Sequence, residues 1–329
     1  MSKIVRHRDL NIELYRVVLM FGICWLHTCA QGGRFDETKP IYYLMRPCVV
    51  GFIFISGWFG INMNWKKILR MVGLGLSCAV MSVALGALSS ENGLASVTVL
   101  FREVLHSLIN GYWFLWAYIC LMALAPIFNA VIDGDGRMVN GRVFPLIIII
   151  FGWSFLTHVP GIKTYIPITP GVTASSCLMM SAVYIVARLI RNREYDRYFN
   201  GWKFWGVVGL SFVVCAIGFS HYDSIFAFVS AIGVFQFIRK ISVPLWLGRV
   251  ICLVSPSMFA VYFLHQAIHG YNFIGQGMWC ATKISGLAVI DTFIAAVFVW
   301  TSCVILDLIR RFLVCCCRIF GESVAAIHA

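Results

Sequence analysis

The sequence is poor in charge, and poorest in acidic charge. Only 12% of its 329 residues are Asp, Glu, Lys or Arg, while 60% are hydrophobic. A soluble domain runs near ~25% and ~45–50%, so a water-soluble fold is excluded. Fourteen Asp and Glu stand against 26 Lys and Arg, for a net charge of +12. That excess is no nucleic-acid footprint, because the basic residues sit in short loops between apolar runs. Long polar stretches are missing as well: apolar runs recur from Leu10 to Phe312 and leave no interval able to fold in water.

Other absences narrow the class further. No small-x-small cleavage site follows the first apolar run, which carries Arg16 and His27 and leads into Gln31, Gly32, Gly33 and Arg34. No secretory signal peptide is read there, and the N-terminus is expected to be retained. The thirteen cysteines show no paired spacing. Cys78, Cys120, Cys177, Cys215 and Cys303 lie singly in apolar runs, where a thiol acts as a small hydrophobe, so neither a disulfide framework nor a metal site is expected. Cys315, Cys316 and Cys317 are the exception, open either to reversible acylation or to a reduced cytosolic cluster without a role. No repeat of fixed period and no low-complexity tract is found, which leaves an inverted-repeat carrier without support.

What is present is a series of segments near the ~20 residues that a helix needs to cross a ~30 Å hydrocarbon core. They fall at 11–30, 41–61, 69–89, 111–131, 143–158, 171–190, 203–220, 223–238, 250–268 and 284–306. The fifth and eighth are short, and a tight turn at His221 and Tyr222 must join the seventh to the eighth. Helices are expected rather than barrel strands, since the runs lack a ten-residue alternation. The fold class is therefore an all-α polytopic integral membrane protein with about ten transmembrane helices. It divides into a cytoplasmic segment 1–10, a membrane domain 11–306 and a cytoplasmic tail 307–329. The stretch from about 90 to 110, with Arg102, Glu103 and His106, is amphipathic enough to lie along the interface.

The distribution of Lys and Arg tests that count, because a wrong number of spans would scramble them between alternate loops. Nineteen fall on one side, including Lys3, Lys66, Lys67, Arg70, Arg137, Arg188, Arg239 and Arg310. Five fall on the other, namely Arg34, Lys39, Arg102, Lys163 and Lys283, and Arg16 and Arg46 lie inside spans. Both termini are accordingly expected in the cytoplasm.

Ionisable side chains within spans are costly and raise a functional hypothesis by default. Ten residues separate Arg16 from His27, which is about 1100° of helical rotation and ~16.5 Å of rise, so the two share one face. A plainer account remains open: Arg16 snorkels or pairs with Glu13, and His27 is an interfacial residue beside Trp25. Counting depth from the span ends puts Arg46, His265 and Trp113 at the level of His27, so that a base, a cation and an aromatic can meet in one outer pocket. Trp113 also suits an aromatic belt. Ser56 and Gly57 lie deeper, as a small-residue break for close packing or for exposing backbone donors. Lys66, Lys67 and Arg70 make a basic cluster suited either to phosphates or to setting orientation. The run of Arg188, Arg191, Arg193 and Arg197 reads as topological and lipid-contacting.

Asn11-Ile12-Glu13-Leu14-Tyr15-Arg16, with His27 ten residues on, resembles the opening signature of the membrane-bound acyltransferase 3 family. Further elements are similar in order. They are Arg46-Pro47 before Phe52-Ile53-Phe54-Ile55-Ser56-Gly57-Trp58, then Lys67 to Arg70, Tyr112-Trp113-Phe114-Leu115, and Ser257 through Tyr262 to His265. The resemblance runs from about residue 9 to 306. It implies a bacterial inner-membrane enzyme that moves an acyl group, usually acetyl from cytoplasmic acetyl-CoA, onto a hydroxyl of a surface polysaccharide or lipid-linked glycan. Relatives often carry an appended extracytoplasmic esterase-like domain. Only about two dozen residues follow the last expected span here, so direct transfer or release to a separate partner is expected.

The residues fit that chemistry in their own right, since acyl transfer to a hydroxyl needs a base and donors for the developing oxyanion. His27 is the candidate base or covalent acyl carrier. Arg46 and His265 are candidates to bind acceptor or stabilise the oxyanion. Arg16, Lys66, Lys67 and Arg70 are candidates to hold the CoA phosphates. Ser56, Trp113 and Tyr262 complete the set as substrate-binding candidates. Glycan, acetyl-CoA and membrane lipids are the expected partners, with a second copy or separate glycan-assembly enzymes beside them. The rival expectations are a glycan or lipid transporter or flippase without acyl transfer, and a non-enzymatic membrane scaffold or sensor.

Overall fold

A computed structural model describes residues 9–89, 97–134, 174–192, 194, 198–199, 201–218, 224–266 and 271–327. Among these the regular structure is helical and no strand occurs, in keeping with the need to satisfy backbone polar groups within each segment. Helix α1 (Leu10–Gln31) starts at Asp9, whose side chain accepts from the Asn11 N–H at 3.1 Å as an N-cap. Helices α2 (Phe35–Met45) and α3 (Pro47–Phe59) form one 25-residue apolar span jointed at Arg46, because Pro47 has no N–H to close the turn. Gly60, at φ +75°, ends α3 in a conformation that an L side chain resists. Helix α4 (Trp65–Ser89) follows Asn64, whose side chain accepts from the Lys66 N–H at 2.9 Å.

The next connection holds the amphipathic α5 (Val97–His106) and a π-turn at Ser107–Gly111. Helix α6 (Trp113–Asp133) follows, and its Trp116 indole N–H donates to the Leu108 carbonyl of that widened turn at 2.9 Å. Then come α7 (Ala174–Asn192), α8 (Trp202–Ala216) and α9 (Ile225–Arg239). A further span is broken into α10 (Leu245–Val254), a 3-10 turn at Ser255–Ser257 and α11 (Met258–His265). Helix α12 (Phe273–Thr282) and the 40-residue α13 (Ala288–Ile327) complete the order.

Helices occupy nine of the ten expected segments. The fifth, 143–158, lies outside the described residues, as does the turn at His221 and Tyr222. Among the described residues six spans combine the length and apolarity to cross a membrane: α1, α2 with α3, α4, α6, α10 with α11, and α13. Helices α8 and α9, at 15 residues each, reach about 22 Å and fall short of a ~30 Å core. The expected count of ten is thus not confirmed, with six spans meeting that measure among the described residues. Helix α12 was unexpected, and α13 continues past residue 306 to Ile327 through what the sequence marked as a tail.

Two cores share α1. Tyr15 and Leu19 pack with Ile53, Phe54, Tyr184 and Phe235, while Met20, Ile23 and Cys24 pack with Leu115, Phe263 and Val299. Outside, large apolar side chains such as Leu69, Ile127, Leu210 and Leu245 are exposed, whereas Glu13, Asp291 and Asp307 are buried. That inversion is the mark of a lipid-facing surface. At one rim Trp58 lies under the guanidinium groups of Arg191 (5.0 Å) and Arg239 (4.8 Å). Gly60 approaches Arg188 at the same rim, which ion-pairs with Asp133 at 3.1 Å.

Candidate active site

The rotation of α1 is set by two side chains of its opening turns. The Asn11 amide nitrogen lies 2.8, 3.0 and 2.8 Å from the carbonyls of Ile238, Arg239 and Ile241. It thereby gathers carbonyls at and just past the C-terminal end of α9, where the helical i+4 donors run out. The Tyr15 hydroxyl donates to the Ala231 carbonyl at 2.9 Å in the buried interior. With those contacts fixed against α9, Arg16 and His27 face internal cavities.

At the far end of that face, His27 Nδ1 lies 2.8 Å from His265 Nε2, and His265 Nδ1 lies 2.6 Å from the Val261 carbonyl. A carbonyl only accepts, so His265 carries its proton on Nδ1 and, when neutral, presents a lone pair at Nε2. His27 then donates from Nδ1 and keeps its own lone pair on Nε2, a tautomer assigned from the hydrogen-bond pattern. The Gln266 amide nitrogen stands 2.9 Å from His27 Nε2 and 2.6 Å from Nδ1. Of those two ring nitrogens only Nε2 can accept its proton.

A cavity of about 170 Å³ opens beside His27 and is also lined by Tyr42, Arg46, Trp113 and Tyr262. The Arg46 guanidinium stacks on Tyr42 (4.7 Å) and Tyr43 (5.0 Å), and its Nη2 donates to the Tyr42 hydroxyl at 3.1 Å. Tyr262 accepts from the Phe114 N–H at 3.2 Å at the start of α6. Its hydroxyl proton is thereby left for another acceptor.

Two further cavities, of about 270 and 210 Å³, continue along the α1 face, and both are lined by Arg16, Ser56 and Tyr118. Ser56 Oγ lies 3.0 Å from the Tyr118 hydroxyl. The smaller of the two also reaches Gly60 and Lys67 at the arginine-rich rim. Arg16 makes the i,i+3 ion pair with Glu13 at 2.6 Å that its plainer account requires, and lines both cavities as well. Lys66 and Arg70 are exposed on the first turns of α4, away from the cavity walls.

The structure therefore brings together His27, Arg46, His265, Trp113 and Tyr262 at one end, and Arg16, Ser56 and Lys67 nearer the other. Sequence reasoning missed Tyr42, Gln266 and Tyr118. Tyr42 stands four residues before Arg46, a spacing that signals helical neighbours, and Gln266 adjoins His265. Tyr118 meets Ser56 across 62 positions of sequence, for which the sequence holds no local signal. No group of three or more His, Cys, Asp or Glu side chains able to hold a metal occurs among the described residues.

Comparison with known families agrees with this architecture. A family model described as "Acyltransferase domain", of the acyltransferase 3 type, matches residues 9–308. The chain belongs to the membrane acyltransferase 3 family, and it is a multi-pass membrane protein of acyltransferase type. Neither the curated proteins nor the solved structures compared with it gave a match.

Proposed function

We propose that the protein is a membrane O-acyltransferase that takes acetyl from acetyl-CoA and places it on a hydroxyl of a surface polysaccharide or lipid-linked glycan. The observation that carries this reading is the His27–His265 pair, 2.8 Å apart, standing at one end of a run of cavities whose other end reaches Lys67. Lys67 and Arg16, with Lys66 and Arg70 on the adjoining exposed turns, supply positive charge for the donor's phosphates. The ~16.5 Å between Arg16 and His27 suits an extended pantetheine arm, so the thioester is drawn through the bundle while the nucleotide stays at the basic rim.

His27 Nε2 takes the proton of the acceptor hydroxyl as its oxygen attacks the thioester carbonyl. The new C–O bond forms, the C–S bond breaks, and the proton held on His27 passes to the departing sulfur. Arg46 and the Tyr262 hydroxyl donate to the carbonyl oxygen while it carries negative charge. His265 holds the tautomer that leaves His27 Nε2 able to accept. Gln266 must release that nitrogen when the acceptor arrives. Trp113 offers a flat apolar face to the sugar ring, and Ser56 with Tyr118 lines the donor's path.

The test is His27→Ala in protein shown to be membrane-inserted, with acyl content of surface glycans read by mass spectrometry. Loss of the acyl mass is expected, with turnover falling by ~10²–10⁴-fold. Unchanged acyl content would remove His27 from the chemistry. Glycan appearing outside with no added acyl mass in the unsubstituted protein would favour a transporter instead.

A further inference from the structure

Two cavities share part of their lining. The 170 Å³ cavity at His27 and the 270 Å³ cavity at Arg16 are both lined by Phe52, Phe114 and Phe259. We propose that these three phenylalanines form a partition that seals the donor side of the bundle from the acceptor side and limits the length of acyl chain that passes. The proposal rests on the acyltransferase reading for the word acyl, while the seal itself stands on the cavities alone.

Each ring is mounted where a helix is interrupted or free to present it. Phe114 is the second residue of α6, just after the π-turn, and Phe259 is the second residue of α11, just after the 3-10 turn. Irregular backbone at membrane depth is tolerated where it lines an internal cavity, so both breaks fall where a passage would need them. Tyr262 holds the two rings from behind, with centroids 5.7 Å from Phe114 and 6.0 Å from Phe259. Phe114 also stacks on Tyr118 at 6.0 Å and 12°. Phe52 comes from the opposite wall on α3 and, like the other two, is half-buried rather than part of the closed core.

An aromatic wall of this kind lets a thin apolar chain slip between rings that turn by a rotamer step. The pantetheine arm passes the same rings, so the length limit falls on the acyl chain beyond them, where each added methylene is forced into the 170 Å³ cavity that Phe52, Phe114 and Phe259 also line. Water and ions stay behind the rings, which protects a thioester from hydrolysis and the membrane from leakage.

Two measurements test this. In the first, acetyl-CoA, butyryl-CoA and hexanoyl-CoA are compared as donors for the parent and for Phe52→Ala/Phe259→Ala. The parent should favour acetyl by tens of fold over hexanoyl, and the variant should narrow that ratio by at least tenfold while still using acetyl. An unchanged ratio with acetyl turnover retained would overturn the length limit. Should the double variant fail to insert, Phe259→Leu makes the same comparison with a smaller expected change, about threefold.

In the second, Ala30→Cys in the His27 cavity and Met71→Cys in the Arg16 cavity are treated from each face of sealed vesicles with a membrane-impermeant thiol reagent. Labelling is read above that of the parent's own cysteines. The two sites should label from opposite faces, and Met71→Cys should become reactive from both faces once Phe52 and Phe259 are removed. Labelling of both sites from one face in the parent would refute the seal. This readout needs no turnover, so a chain that transfers no acyl group from any donor would sink the enzymatic reading and leave the partition judged on its own result.

Discussion

At the residue scale, the arrangement turns on which nitrogen of His27 holds the proton. The Val261 carbonyl fixes His265, and His265 fixes His27. Replacing His265 by Ala should free the imidazole to adopt either tautomer, lowering kcat on the order of 10²-fold while leaving the KM for the donor within a factor of two. His265→Gln, whose carbonyl oxygen can accept from Nδ1, should recover part of that loss. A structural role alone would depress both variants alike, and kinetics in proteoliposomes distinguish the cases. Arg16→Ala belongs to the other end: donor KM should rise about tenfold, the loss of a charge-assisted contact, with acceptor KM unchanged. Titration of both substrates checks it.

That these residues would lie near one another was legible in the sequence. His27 and His265 each lie three residues from the end of their expected spans, and Arg46 lies five residues into the next, so counting placed them at one level. The proton's location was not, because it depends on a carbonyl one turn back on α11 and on the rotation of α1. That rotation is held by Asn11 and Tyr15, whose contacts on α9 lie 216 or more positions away. Both residues stand in the opening signature, where Arg16 alone drew attention as chemistry.

At the element scale, packing of α3 against α7 leaves no room at Gly57. A Cβ there would lie 2.4 Å from the Tyr184 carbonyl oxygen and 2.8 Å from the Ala187 Cβ. Gly57→Ala should therefore destabilise the protein by ~1–3 kcal/mol. Gly73, on the lipid-facing side of α4, has nothing within 4 Å of the same position. Gly73→Ala should stabilise by up to ~1 kcal/mol through helix propensity. Thermal unfolding in detergent should thus shift downward for one Gly→Ala change and upward for the other.

The elements themselves were readable in proportion to their length. A 22-residue α1 and a 25-residue α4 announce themselves by continuous apolarity. Helix α12 is only ten residues, with Gly275, Gln276 and Gly277 in its middle, and gives no such signal. The 3-10 turn at Ser255–Ser257 is likewise invisible to a hydropathy count, since its neighbours on both sides are apolar. The extra length of α13 was missed because the apolar span was ended at 306, whereas the helix runs on through Asp307, Arg310 and Arg311, which pair along its face.

At the scale of the whole molecule, two buried carboxylates on α13 tie distant parts together. Asp291 accepts from Arg34 at 2.7 Å and from the Ser285 hydroxyl at 2.7 Å, and Arg34 also donates to the Gly286 carbonyl. Asp307 accepts from Arg310 at 2.6 Å and lies 3.3 Å from Arg311 Nε, in ion-pair contact without hydrogen-bond alignment. Arg311 in turn donates to the Leu253 carbonyl at 2.9 Å, just before the 3-10 turn. Asp291→Ala would remove the buried carboxylate that Arg34 reaches, leaving Arg34 its exposed pair with Glu37 at 2.7 Å, and should destabilise the protein. A lowered yield of monodisperse protein and a lowered Tm are the expected readings, and Asp291→Asn, which keeps the Ser285 contact, should lose less.

These two ties sit sixteen positions apart on one helix, about 24 Å along its axis, so α13 is held near its start through Arg34 and near its middle through Arg311, whose Nη2 reaches the Leu253 carbonyl. A carrier works by rocking one half of its scaffold over the other, and rivets at two levels stiffen the frame against that shear. On the proposed reading, motion would then fall to individual rings and side chains, with the housing still while the shutter turns.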